Sequence, residues 1–122
     1  MTVAAAFERL FQAATEARDL DAFMDVWLVD EPGITMWGSD VGERATGHDE
    51  IRALGEQIVA SEDDLRFAWD EVQIHERGPT AWVNASGTLE VGGARYPYRL
   101  TAVLERTYAG WRWHTFNGSI PG

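Results

Sequence analysis

The chain has 122 residues and a formal net charge of −10, with 45% hydrophobic residues, 25% charged residues and no cysteine. That length reads as one domain, residues 1–122, able to bury roughly two-thirds of its unfolded surface. The composition excludes disulfides, thiol nucleophiles and cysteine-rich zinc sites. The acidic balance argues against nucleic acid and anionic membranes as partners, since each needs a basic patch.

The N-terminal stretch MTVAAAFERLF carries Glu8 and Arg9 where a secretory leader needs its apolar run, so a cytoplasmic protein is expected. No apolar run approaches membrane-span length. Residues 3–17 place Val3, Phe7, Leu10, Phe11 and Ala14 at helical spacing. Asp19 is the expected N-cap of a second helix with Leu20, Phe23, Met24, Trp27 and Leu28 on one face, ended by Pro32 and Gly33. Residues 34–37 (ITMW) read as a short strand. GSDVGERATG follows as a Gly-rich connection with room for a small hairpin. A third helix begins near His48 or Asp49 and turns Ile51, Leu54 and Ile58 inward. From Leu65 onward the pattern is strand: 65–77, 80–91, 94–108 and 111–119, with turns at Gly78-Pro79, Gly92-Gly93 and Ala109-Gly110. Helices first and strands after is an α+β order, with helices packed on one face of an antiparallel sheet.

Two-residue turns set a register. Gly92-Gly93 pairs Val91 with Ala94 and hence Leu89 with Tyr96, Ala85 with Leu100 and Asn84 with Thr101. Ala109-Gly110 as the next turn sets Trp113 opposite Arg106, Thr115 opposite Leu104, Asn117 opposite Ala102 and Ser119 opposite Leu100. Alternation then separates two faces. One holds Val83, Ala85, Leu89, Tyr98, Leu100, Trp113, Thr115, Asn117 and Ser119, an apolar surface with a few small polar groups that suits the underside of helices. The other holds Trp82, Asn84, Arg99, Thr101, His114 and Phe116, too apolar for a plain solvent face and mixed in the manner of an interface. In the 65–77 strand, Leu65, Phe67 and Trp69 alternate in one phase and Val72 and Ile74 in the other, which requires a β-bulge near Asp70-Glu71.

Two N-terminal helices, a short strand, the segment TGHDEIRAL after a GSD turn and the ending YRLTAVLERTYAGWRWHTFNGSIP together resemble the SnoaL-like branch of the nuclear transport factor 2-like superfamily, which also contains ketosteroid isomerase. The most specific residues are Arg99, Thr101, Gly110, Trp111, Ser119 and Pro121. The resemblance implies a cone-shaped α+β barrel, three N-terminal helices on a curved antiparallel sheet. It also implies a pocket between helices and sheet, and homodimers joined through the outer sheet face. Many SnoaL-like relatives carry His where this chain has Asn117, which cannot titrate near neutrality. Ketosteroid isomerase uses an Asp base, a Tyr and a protonated Asp. An ungapped match sets Gly38, Phe11 and Ala102 at those positions, so steroid isomerisation is not expected.

Three readings stay open. In the first, a small apolar or cyclic molecule binds among Phe11, Trp27, Trp37, Tyr98, Leu100, Thr115, Asn117 and Ser119, with Phe7 and Phe23 closing the pocket. In the second, the protein is an isomerase, cyclase or hydrolase with Asp40 or Asp70 as base and Tyr98 and Asn117 stabilising an enolate oxygen. In the third, it is a non-catalytic assembly domain whose dimer face carries Trp82, Asn84, Arg99, Thr101, His114 and Phe116. No cofactor is implied. The three histidines, His48, His75 and His114, lack metal-ligand spacing, and GSDVGERATG lacks a phosphate-loop pattern.

Overall fold

The computed structural model describes residues 1–40 and 42–121. Helix α1, Val3–Phe11, starts where the Thr2 side chain accepts from the Ala5 N–H. It continues through a π-helical turn, Gln12–Glu16, and stops at Arg18, whose φ is +50°. The Asp19 side chain caps α2, Leu20–Asp25, by accepting from Ala22 N–H. Strands β1, Thr35–Trp37, and β2, Arg44–Thr46, form a hairpin that leads into α3, His48–Ala60. Four long strands follow: β3, Leu65–Arg77; β4, Thr80–Val91; β5, Ala94–Thr107; and β6, Gly110–Ser119.

The sheet order is β2-β1-β6-β5-β4-β3. The sheet is curved and unclosed. All neighbours are antiparallel except β1 and β6, which run parallel. The expected α+β architecture is present. The two short strands extend the four long ones on the β6 side.

The β4–β5 register follows from the Gly92-Gly93 turn as expected, Val91 opposite Ala94 and Val83 opposite Ala102. A bulge between Trp69 and Glu71 keeps Phe67, Trp69, Val72 and Ile74 on the helix-facing side. That leaves Asp70 as the extra residue, exposed.

The β5–β6 pairing departs from the expected register. The turn residues are Tyr108 and Ala109, with Thr107 opposite Gly110, and Trp113 faces Leu104. That two-residue shift preserves the faces. A bulge then intervenes, because Thr115 pairs with Val103 while Trp113 pairs with Leu104. The extra residue is His114, and every later residue changes side. Phe116 therefore points under the helices and is 2% exposed. Thr115, Asn117 and Ser119 share the outer side with Val103, Thr101 and Arg99.

The core lies between α1, α2, α3 and the concave sheet. Trp113, Phe7 and Phe23 are its largest fully buried side chains. The Trp113 ring stacks on Phe7 with centroids 5.5 Å apart, and its indole N–H donates to the Ala6 carbonyl at 3.0 Å. Among the described residues no helix is long and apolar enough to cross a membrane.

Candidate functional site

Beyond Trp113 the helices and sheet diverge around a cavity of about 470 Å³. Its helix side is Leu10, Phe11, Ala14 and Phe23, with Leu54 and Ile58 from α3. Its sheet side is Phe67, Leu89, Tyr98 and Phe116. Phe11 packs against Phe67 at 4.9 Å and Phe67 against Tyr98 at 5.4 Å, so the walls are a continuous aromatic surface. The exposed members of the lining, Ser39, Asp40, Tyr96 and Ile120, mark the mouth.

The two acids of the lining lie on the β1–β2 hairpin. Met36 and Ala45 pair and are both buried. Two residues farther on, Gly38 and Glu43 fall on the same inward side, and the Gly38 N–H donates to the Glu43 carbonyl at 2.7 Å. A Cβ at Gly38 would stand 2.5 Å from Glu43 Oε2. The missing side chain is therefore what admits the Glu43 carboxyl. The loop is fixed by the Glu43 N–H donating to the Asp40 carbonyl at 3.0 Å and the Asp40 N–H donating to Glu43 Oε1 at 3.2 Å. Burial, and then the hydrogen bond and charge of Asp40, raise the Glu43 pKa above its ordinary 4.5.

Tyr98 is 3% exposed, and among the described residues no hydrogen bond reaches its hydroxyl. Burial raises its pKa, and the Glu43 charge raises it further. The Tyr98 hydroxyl rests over Gly118, where any Cβ would collide with it. The arrangement thus offers a carboxyl with raised proton affinity, able to take or give a proton, and a neutral hydroxyl able to donate a hydrogen bond.

Of the pocket and catalytic residues singled out from the sequence, Phe11, Phe23, Tyr98 and Asp40 lie on the cavity wall. The others do not. Asp70 is carried outward by its bulge. Trp27, 2% exposed, packs in the core 6.0 Å from Trp113. Leu100 is buried beneath the sheet opposite Gly118, away from the cavity. Trp37 lies on the surface under the Arg44 guanidinium at 4.1 Å. Thr115, Asn117 and Ser119 face outward because of the His114 bulge. Phe116, expected outside for the same reason, lines the cavity. Glu43 was missed. Hairpin parity, Met36 and Gly38 against Ala45 and Glu43, was the signal that placed it inside.

On the outer face Trp82 is 36% exposed and stacks with His75 at 5.6 Å. The Thr101 hydroxyl donates to Asn84 Oδ1 at 3.0 Å, and Arg99 is exposed beside them. His114 is half-buried at the bulge and hydrogen-bonded to the Thr115 hydroxyl at 2.6 Å.

The family model described as "SnoaL-like domain" matches residues 3–122. The chain belongs to this SnoaL-like family. Solved structures agree on the fold. One, provisionally named a dehydratase of the NTF2-like family from Streptomyces avermitilis, superimposes with a TM-score of 0.84 at 22% identity, covering 98% of this chain and 94% of that one. Another, provisionally named a calcium/calmodulin-dependent protein kinase type II association domain from Thiobacillus denitrificans, gives 0.83 at 22% identity over 99% and 96%. A third, provisionally named an aromatic ring hydroxylase from Novosphingobium aromaticivorans, gives 0.77 at 18% identity over 98% and 87%. No curated protein matches the sequence. The names of these neighbours differ while the architecture does not, so activity in this SnoaL-like chain must be argued from its own site.

The Glu43 pKa carries a sign for stability. The folded SnoaL-like domain holds that proton more tightly than the unfolded chain, so the contribution is complete below 4.5 and is lost as pH rises through the raised value. Glu43→Gln removes the loss. Between about pH 4 and pH 7, spanning the carboxylate range, urea midpoints of wild type and variant are expected to diverge in the variant's favour. Parallel curves would mean that Glu43 is not held against Asp40 in a buried setting.

Proposed function

We propose that this SnoaL-like protein binds a small apolar, ring-containing molecule in the cavity between the helices and the concave sheet. The observation that carries this is the cavity itself. A space of about 470 Å³ with largely aromatic walls has its acids, Glu43 and Asp40, on the β1–β2 hairpin, and Tyr98 near Glu43. Pockets of that size and character bury most of a small ligand and orient it through a few polar contacts. A packed interior would have favoured the assembly reading instead.

An environment-sensitive naphthalene dye tests the proposal by fluorescence titration. Ala14, 5% exposed, lines the cavity, and Ala14→Leu is expected to weaken binding by roughly tenfold or more by filling the space. Asn117→Leu is expected to leave binding unchanged, since Asn117 faces away. The reverse pattern would place the ligand elsewhere.

A second reading is proton transfer at the same site, favoured by the raised pKa of Glu43 beside the Tyr98 hydroxyl. Here Glu43, with Asp40 adjusting its proton affinity, is the base in place of the Asp40 or Asp70 expected from sequence. Tyr98 supplies the hydrogen bond to a developing oxyanion. Any turnover found for this protein should then collapse in Glu43→Gln, and full retention of activity would remove this reading.

We also propose that the chain forms a homodimer through the outer face around Trp82, Asn84, Arg99 and Thr101. The exposed Trp82–His75 stack and the neighbouring Asn84–Thr101 pair support it. Sedimentation of the wild type is expected to give a dimer and of Trp82→Glu a monomer. A wild-type monomer at all concentrations would contradict it.

A further inference from the structure

The cavity is asymmetric in charge as well as in polarity. Among the described residues, Asp40 and Glu43 are the carboxylic acids that line it, and no arginine, lysine or histidine does. Among the described residues no ion pair reaches either carboxyl. Arg44, the nearest basic residue in sequence, is held outside over the Trp37 ring. The hairpin hydrogen bonds hold the Glu43 carboxyl against the Asp40 main chain, so the two acids are neighbours at the cavity wall. Beside them Tyr98 is 3% exposed, with no hydrogen bond to its hydroxyl among the described residues, and Phe11, Phe23, Phe67 and Phe116 line the space.

We infer that the cavity selects molecules carrying one positive charge on an apolar, ring-sized body, an arylalkyl amine being the simplest case, with the charge at the Asp40–Glu43 side. The inference rests on the pocket reading above and adds the ligand's charge to it. An ammonium group satisfies the paired carboxyls by charge-assisted hydrogen bonds, and its flanking carbons meet aromatic faces that attract cations. A carboxylate or phosphate has no basic partner here and meets two acids. The net charge of −10 adds a long-range attraction of the same sign.

Three probes with one ring system separate the possibilities: 1-naphthylmethylamine, 1-naphthylmethanol and 1-naphthoate, titrated by calorimetry at neutral pH into the intact protein. The amine is expected to bind about tenfold or more tighter than the alcohol, a difference of one charge-assisted contact, with the naphthoate weakest. In the double variant Asp40→Asn, Glu43→Gln the amine and alcohol should bind alike. A far-ultraviolet circular dichroism spectrum matching that of wild type reports that the variant is folded. Equal binding of amine and alcohol to wild type overturns the charge selection and leaves the pocket reading standing. An amine preference that survives in the double variant also overturns it, since the attraction would then come from the acidic surface at large. If none of the three binds, both readings fall.

Discussion

Trp113 joins the helical layer to the sheet, and the placement of the cavity depends on that joint. Its indole N–H donates to the Ala6 carbonyl of α1, its main-chain N–H to the Val26 carbonyl at 2.7 Å, and its own carbonyl accepts from the Leu28 N–H at 3.0 Å. All of this is buried, where an unmade hydrogen bond costs about 1–3 kcal/mol. The segment after α2 is thereby fixed to β6, and Phe7 is stacked on the Trp113 ring. One residue later β6 bulges at His114. Two large rings, Trp113 and Phe116, consequently follow each other on the inner side, 5.8 Å apart. Phe11 reaches both, at 6.0 Å and 6.3 Å. Phe7 and the Ala6 carbonyl cover Trp113, while Phe116 borders the cavity.

The polar side of that space depends on two absent side chains. Gly38 leaves room for the Glu43 carboxyl, and Gly118 leaves room for the Tyr98 hydroxyl. The hairpin and the last strand are neighbours in the sheet, β1 beside β6. Two distant segments thus bring an acid pair and a phenol to the same cavity. Their proton affinities are set by shared causes: burial raises both, and the charge of one raises the other.

Much of the architecture was legible in the sequence because its signals are local. Gly92-Gly93 defined a hairpin register that holds to the end of the strand pair. The phase change between Trp69 and Val72 betrayed the Asp70 bulge, since two apolar phases on one edge strand cannot otherwise share a face. The His114 bulge gave no such sign. Residues on both sides of it are aromatic, so Trp113 and Phe116 read equally well as alternate faces of a straight strand. That single unseen residue turned Thr115, Asn117 and Ser119 from expected lining to outer surface. Glu43 escaped for another reason. A Gly-rich, charged loop reads as solvent-facing, and only the pairing of Met36 with Ala45 shows that its last residue points inward. The site was therefore half legible: Phe11 and Tyr98 lie on segments whose phase was right, while Asp40 and Glu43 sit on a Gly-rich hairpin loop whose pattern carries no phase.

The most direct test of the central claim is a crystal structure of the protein as purified, read at the cavity. The expected result is an open space bounded by Phe11, Phe67 and Phe116, with the Glu43 carboxyl turned in beside Asp40 and the Tyr98 hydroxyl facing it. Finding Asn117 inside and Phe116 outside, or the space filled by collapsed side chains with Glu43 in solvent, would contradict it.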